Sequence, residues 1–94
     1  METITISGTI FAANGMSLVM ILYNSDNDPV WPSPLTLDSE FNQKFDLPNG
    51  PYTLSITGYT QGTFVLNITG IAAINPSVPA TYINKISDSF NITI

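Results

Sequence analysis

Residues 41 to 59, Phe-Asn-Gln-Lys-Phe-Asp-Leu-Pro-Asn-Gly-Pro-Tyr-Thr-Leu-Ser-Ile-Thr-Gly-Tyr, decide how this chain is read. Before the central turn, Phe41, Phe45 and Leu47 share one parity. After it Tyr52, Leu54 and Ile56 share another, with Thr53, Ser55 and Thr57 opposite. Period-two amphipathicity on both sides of a Pro/Asn/Gly cluster predicts two half-buried strands joined as a hairpin. Asn49-Gly50 cannot form a two-residue turn closed by residue 51, because Pro51 has no N–H to donate. The expected connection is wider, with Pro48 and Asn49 central and the Gly50 N–H closing back on Leu47.

Upstream, Ile4, Ile6 and Ile10 alternate with Thr3, Thr5, Ser7 and Thr9, and Gly8 takes an inward place among the isoleucines. This predicts a strand with a bulge or a close backbone approach at Gly8. Asn14-Gly15 is a hairpin signal. Met16 to Tyr23 is apolar on both parities, so it is expected to be a central strand, covered by a long loop or facing a partner. The loop at hand is Asn24 to Pro34, which three prolines keep out of regular structure.

Downstream, Thr63 to Thr69 alternates with Phe64, Leu66 and Ile68 inward, and Ile71 to Pro79 is a second proline-punctuated connection. Tyr82 to Ile86 reads as a short strand without a clean period. Asp88 to Ile94 alternates again, with Phe90, Ile92 and Ile94 on one side. No stretch has helical spacing over ten residues. Seven or so short strands in one domain spanning residues 1 to 94 argue an all-β fold. An antiparallel Greek-key sandwich is expected, with a small barrel as the other choice.

Composition bounds the function. The 94 residues carry a net charge of −5, from seven carboxylates against Lys44 and Lys85, with no cysteine and no histidine. Two separated lysines cannot build the basic surface that nucleic acid requires. Missing histidine and cysteine remove the usual general base, the thiol nucleophile and the commonest metal ligands. No cofactor is expected. The longest apolar run, Leu18 to Tyr23, is too short to span a bilayer. Charged residues are only 10% of the chain, against an ordinary quarter or so. That composition leans toward an extracellular or cell-surface setting, although residues 1 to 20 hold no secretory signal and the compartment stays open.

The run Leu47-Pro48-Asn49-Gly50-Pro51-Tyr52-Thr53-Leu54, with Phe45 before it and Gly58-Tyr59 after it, resembles the carboxypeptidase regulatory-like, or transthyretin-like, domains. Gly8-Thr9-Ile10 followed by Asn14-Gly15 is similar to the opening of that family. The likeness covers roughly residues 2 to 69 and consists largely of turn chemistry that unrelated sandwiches share. Met16 to Ile21 departs from the family pattern, the glycine expected shortly before Phe41 is absent, and the segment from Ile71 onward matches nothing in it. The resemblance implies a seven-stranded Greek-key sandwich of the transthyretin-like or immunoglobulin-like kind. It also implies a module that is usually non-catalytic, serves structure or docking, and has no metal.

Several residues invite chemistry, each with a plainer account beside it. Asp26 and Asp28, among Asn24, Ser25 and Asn27, suit calcium by their alternating oxygens, but such residues also make ordinary turns. Asp38 and Glu40 share a parity and form a candidate carboxylate pair, or an exposed strand end. Trp31 is held between Val30 and Pro32. It serves either as a stacking platform for a sugar or partner or as a core cap. Tyr23, Tyr59 and Tyr82 are likewise two-sided. Asn67-Ile68-Thr69 and Asn91-Ile92-Thr93 fit the glycosylation acceptor, which an Asn- and Thr-rich chain produces by chance. Thr3 to Ile10 and Ser89 to Ile94 lack lysine and proline, so either would invite strand addition if it lay on a sheet edge.

The expected function is a non-catalytic structural or protein-interaction module. It would act by self-association or by docking on a protein partner within a larger surface or appendage assembly. The alternative is a carbohydrate-binding module built on Trp31, Tyr23, Tyr59 and Tyr82, with calcium near Asp26 and Asp28.

Overall fold

A computed structural model describes residues 1–11, 16–70 and 72–94. Among these residues seven strands form one antiparallel sheet: β1 (Glu2–Phe11), β2 (Met16–Tyr23), β3 (Leu35–Leu37), β4 (Phe41–Leu47), β5 (Pro51–Thr69), β6 (Ala73–Asn75) and β7 (Ala80–Thr93). No helix occurs among the described residues.

β5 is the spine of the sheet. Its first half lies between β2 and β7, with Ser55 beside both Ile21 and Ser89. Its second half lies between β1 and β7, with Val65 beside both Thr9 and Thr81. Between the halves the β5–β7 register shifts, from Tyr59 opposite Lys85 to Thr63 opposite Ile83. Thr60, Gln61 and Gly62 thus face Asn84 alone. Asn84 has φ 67°, a left-handed conformation that asparagine tolerates better than most residues. Such a bulge increases local twist and bends the strand that carries it, which contributes to the curl of the sheet.

The curl encloses the inward-facing aliphatic and aromatic residues. Ile4, Ile6, Leu18, Met20, Leu22, Leu54, Ile56, Phe64, Leu66, Ile86, Phe90 and Ile92 are all fully buried. Burying each such side chain stabilises the fold by about 1.5–3 kcal/mol relative to exposure. Gly8 is inward as expected, and without a bulge, since the β1–β4 pairing runs unbroken from Glu2 to Gly8. The close approach is to aromatic rings: a Cβ on Gly8 would collide with Phe41 and Phe64. Those two rings stack with centroids 6.2 Å apart, and Tyr82 packs against Phe64 in a tilted arrangement, also at 6.2 Å.

The pairing corrects several expectations. β4 and β5 do not form a hairpin, because β4 pairs with β1 while β5 pairs with β2, β1 and β7. The turn between them is a crossover. The Gly50 N–H donates to the Ile94 carbonyl, leaving Leu47 without that bond, and the Tyr52 hydroxyl donates to the Pro48 carbonyl at 2.8 Å. Asn14-Gly15 lies outside the described residues, but the strands flanking it, β1 and β2, are not partners of each other. β5 is one unbroken strand where two were expected. β7 likewise runs from Ala80 to Thr93, its lost period at Tyr82 to Ile86 arising from the bulge at Asn84. The second proline-punctuated connection contains β6, with Ala72 and Ile74 half-buried.

β2 is central, between β3 and β5, with one face fully buried and the other partly covered, Ser17, Ile21 and Tyr23 being half-buried. Met16, Leu18, Met20 and Leu22 are buried, whereas Val19 on the outer face is exposed. The loop from Asn24 to Pro34 lies along the margin of β2 at Leu22 and Tyr23. The Val30 N–H donates to the Leu22 carbonyl, and the Leu22 N–H donates to Ser33 Oγ.

Candidate interaction surface

Two long sheet margins have no strand beside them among the described residues. β4 pairs with β1 on one side only. β7 has β5 along its length, but β6 covers only Asn91 to Thr93, so Ala80 to Phe90 is open on its second side. The bare strands Thr3 to Ile10 and Ser89 to Ile94 are therefore not the main margins: β1 is flanked by β4 and β5, and the end of β7 by β5 and β6. An unpaired margin presents backbone donors and acceptors in a row. On β4 one of these is satisfied locally, since Gln43 Nε2 donates to the Lys44 carbonyl at 2.9 Å.

Large apolar side chains stand on the outer face near the bulge. Phe11, Thr63 and Ile83 form one row across β1, β5 and β7. Phe11 is 53% and Ile83 69% exposed, and Tyr59, beside Lys85 on the far side of the bulge, is 55% exposed. Phe11 and Ile83 are candidates that only the structure brings forward. Phe11 shares the outward parity of Thr5, Ser7 and Thr9, a signal visible in the pattern. Ile83 carried no such signal, because the shift at Asn84 hides its parity.

The four candidate aromatics do not converge. Trp31 is 87% exposed, which corrects its reading as a core cap. Tyr23 lies near the same loop, bridging to Pro29. Tyr59 is six positions along β5 from Thr53, the partner of Tyr23, or roughly 20 Å away at ordinary strand rise. Tyr82 faces inward on Phe64, and its hydroxyl donates to Asp88 Oδ2 at 2.8 Å. Burial, then the bond to Asp88 and its charge, raises the Tyr82 phenol well above its ordinary range.

Among the acidic candidates, the Asn24 loop spends its best oxygen on itself. Asn24 Oδ1 accepts from the N–H groups of Asp26 and Asp28, at 2.9 and 3.1 Å. This is an Asx-type turn, with Asp26 and Asp28 both solvent-exposed. Glu40 lines an open depression of about 460 Å³ with Ser7, Gly8, Thr9, Phe41 and Asn42, and Asp38 is not part of it. Glu40 Oε1 accepts the Ile10 N–H at 3.1 Å, just past the point where β4 stops pairing with β1. No group of three or more metal-ligating side chains is assembled among the described residues. No helix there is long and apolar enough to cross a membrane.

A scan against protein-family models gave no match, and comparison with characterised proteins and with solved structures gave none either.

Proposed function

We propose that this chain is a non-catalytic structural or protein-interaction module that works by sheet-to-sheet contact. It would self-associate or dock within a larger surface or appendage assembly. The observation that carries the reading is the pair of open margins, β4 and the Ala80–Phe90 portion of β7, beside the exposed Phe11, Tyr59 and Ile83. Main-chain groups in such a row give affinity to any strand laid against them, and apolar neighbours add area.

The finer architecture proposed is a two-layer Greek-key sandwich of the transthyretin-like or immunoglobulin-like kind, with an extracellular or cell-surface setting. Its support is the change of β5 neighbours at the bulge, from β2 to β1, with β7 continuing on the other side. Sedimentation from micromolar to near-millimolar concentration tests self-association, with a rising average mass expected. A single monomeric species throughout removes that arm and leaves a different protein as the partner. Turnover of a small molecule that is abolished by Glu40→Gln overturns the reading altogether.

Trp31 supports a second reading. Its exposed indole on a proline-bearing loop, near Tyr23, suits stacking on a sugar face. A glycan panel that leaves tryptophan emission unchanged removes it.

A further inference from the structure

We infer that β4 is the site at which a second copy of this chain adds, antiparallel and about a two-fold axis at Phe45. This deepens the interaction reading above and rests on it.

The charge pattern of β4 selects both the occupant and the register. Asn42, Lys44 and Asp46 are the exposed, outward residues of the strand, and Phe45 and Leu47 are buried on the other face. In an antiparallel pair, residues directly opposite share a face. A two-fold axis perpendicular to the sheet therefore passes through a residue that meets its own copy. An axis at Lys44 sets ammonium against ammonium, and one at Asp46 sets carboxylate against carboxylate. An axis at Gln43 sets Glu40 opposite Asp46. An axis at Phe45 sets Lys44 opposite Asp46 of the second copy and Asp46 opposite its Lys44, which is two attractive cross-strand pairs from one symmetric contact.

The local chemistry agrees with this placement. The Lys44 carbonyl accepts from Gln43 Nε2, as a backbone group on an unpaired margin requires. In the Phe45 register Lys44 and Asp46 meet each other, so their backbone groups form the new ladder together. The ladder runs from Gln43 to Leu47 and stops at Pro48, which has no N–H. On the inner face Phe45 stands opposite its own copy across the axis, its side chain remaining in its own core. A lone lysine on a margin protects it against addition. Lysine and aspartate two positions apart on the same face instead set like charges together about axes at Lys44 and Asp46 and opposite charges together about the axis at Phe45.

The experiment is sedimentation equilibrium on the wild type, Lys44→Asp, Asp46→Lys, the double exchange and an equimolar mixture of the two single variants, with circular dichroism to verify folding. The wild type is expected to dimerise, and each single variant to associate about tenfold to a hundredfold more weakly, because like charges face each other in both pairs. The mixture and the double exchange are expected to recover dimer, since each restores opposite charges. A wild type that stays monomeric overturns the inference and the self-association arm with it. A dimer indifferent to all these substitutions overturns the β4 register alone and leaves the broader reading in place. So does a mixture of folded single variants that remains monomeric.

Discussion

Gly50 and Ile94 exchange both backbone hydrogen bonds: the Gly50 N–H donates to the Ile94 carbonyl at 2.9 Å, and the Ile94 N–H returns to the Gly50 carbonyl at 3.0 Å. Gly50 holds φ 150° there, with open space where a side chain would point. Gly50→Ala therefore isolates backbone strain from crowding. It is expected to cost about 1–3 kcal/mol, read as a lower denaturant midpoint at unchanged slope. An unchanged midpoint would show that the turn relaxes freely.

At Gly8 the cost has the opposite origin. A methyl group there meets the Phe41 and Phe64 rings, so Gly8→Ala is expected to destabilise by about 1–3 kcal/mol through overpacking. Adding Phe41→Leu makes room and should recover part of the loss. Additive destabilisation in the double variant would refute that coupling.

Burial and Asp88 together favour the protonated form of the Tyr82 phenol. A group whose folded-state value is raised contributes stability that is complete below its unfolded value, about 10 for tyrosine. That stability is lost as pH climbs through the folded value. Ultraviolet titration is expected to show a late phenol component that disappears in Tyr82→Phe. Stability at neutral pH should not respond to pH through this group. A titration curve whose late part is the same in Tyr82→Phe would contradict the bond.

Thr60 is buried, and its hydroxyl has no hydrogen-bond partner among the described residues. Valine keeps the shape and the β-branch that a strand favours. Thr60→Val should thus be neutral or stabilising by up to about 1 kcal/mol. A clear loss of melting temperature would mean that the hydroxyl is satisfied after all.

Trp31 is the sole tryptophan and stands 87% exposed. Its emission is expected near that of free indole and should be quenched efficiently by both iodide and acrylamide. Unfolding should move the emission maximum very little. A blue-shifted, quencher-resistant spectrum would place the indole in the interior.

Alternation carried most of what could be read without coordinates. Ile4 and Ile6, Phe45 and Leu47, Leu54 and Ile56, and Phe64 and Leu66 lie inward as their spacing demanded, because parity is a local property of a pleated strand. Partnership is not local. Pro48-Asn49-Gly50 was read as a hairpin turn, yet the same residues serve a crossover whose Gly50 N–H is claimed by Ile94. Nothing within a few residues of the turn distinguishes these cases. The open margin at β4 was hidden for the same reason, since it depends on what lies beside Lys44 and Asp46 in space. Trp31 was ambiguous because tryptophan suits either environment and its loop has no period to orient it.

The two ladders of β1 set Thr5 beside Thr69 and Glu2 beside Leu47, and among the described residues the only strands adjacent in the chain that also pair are β2 with β3 and β6 with β7, each through a three-residue member. Nucleation close to home is thereby denied to this polypeptide. Its search must close large loops before any reward arrives, which places refolding in the slow, millisecond-to-second class of small domains. During that interval uncovered aliphatic strands meet one another between molecules as readily as within them, so recovery from denaturant should worsen as protein concentration rises.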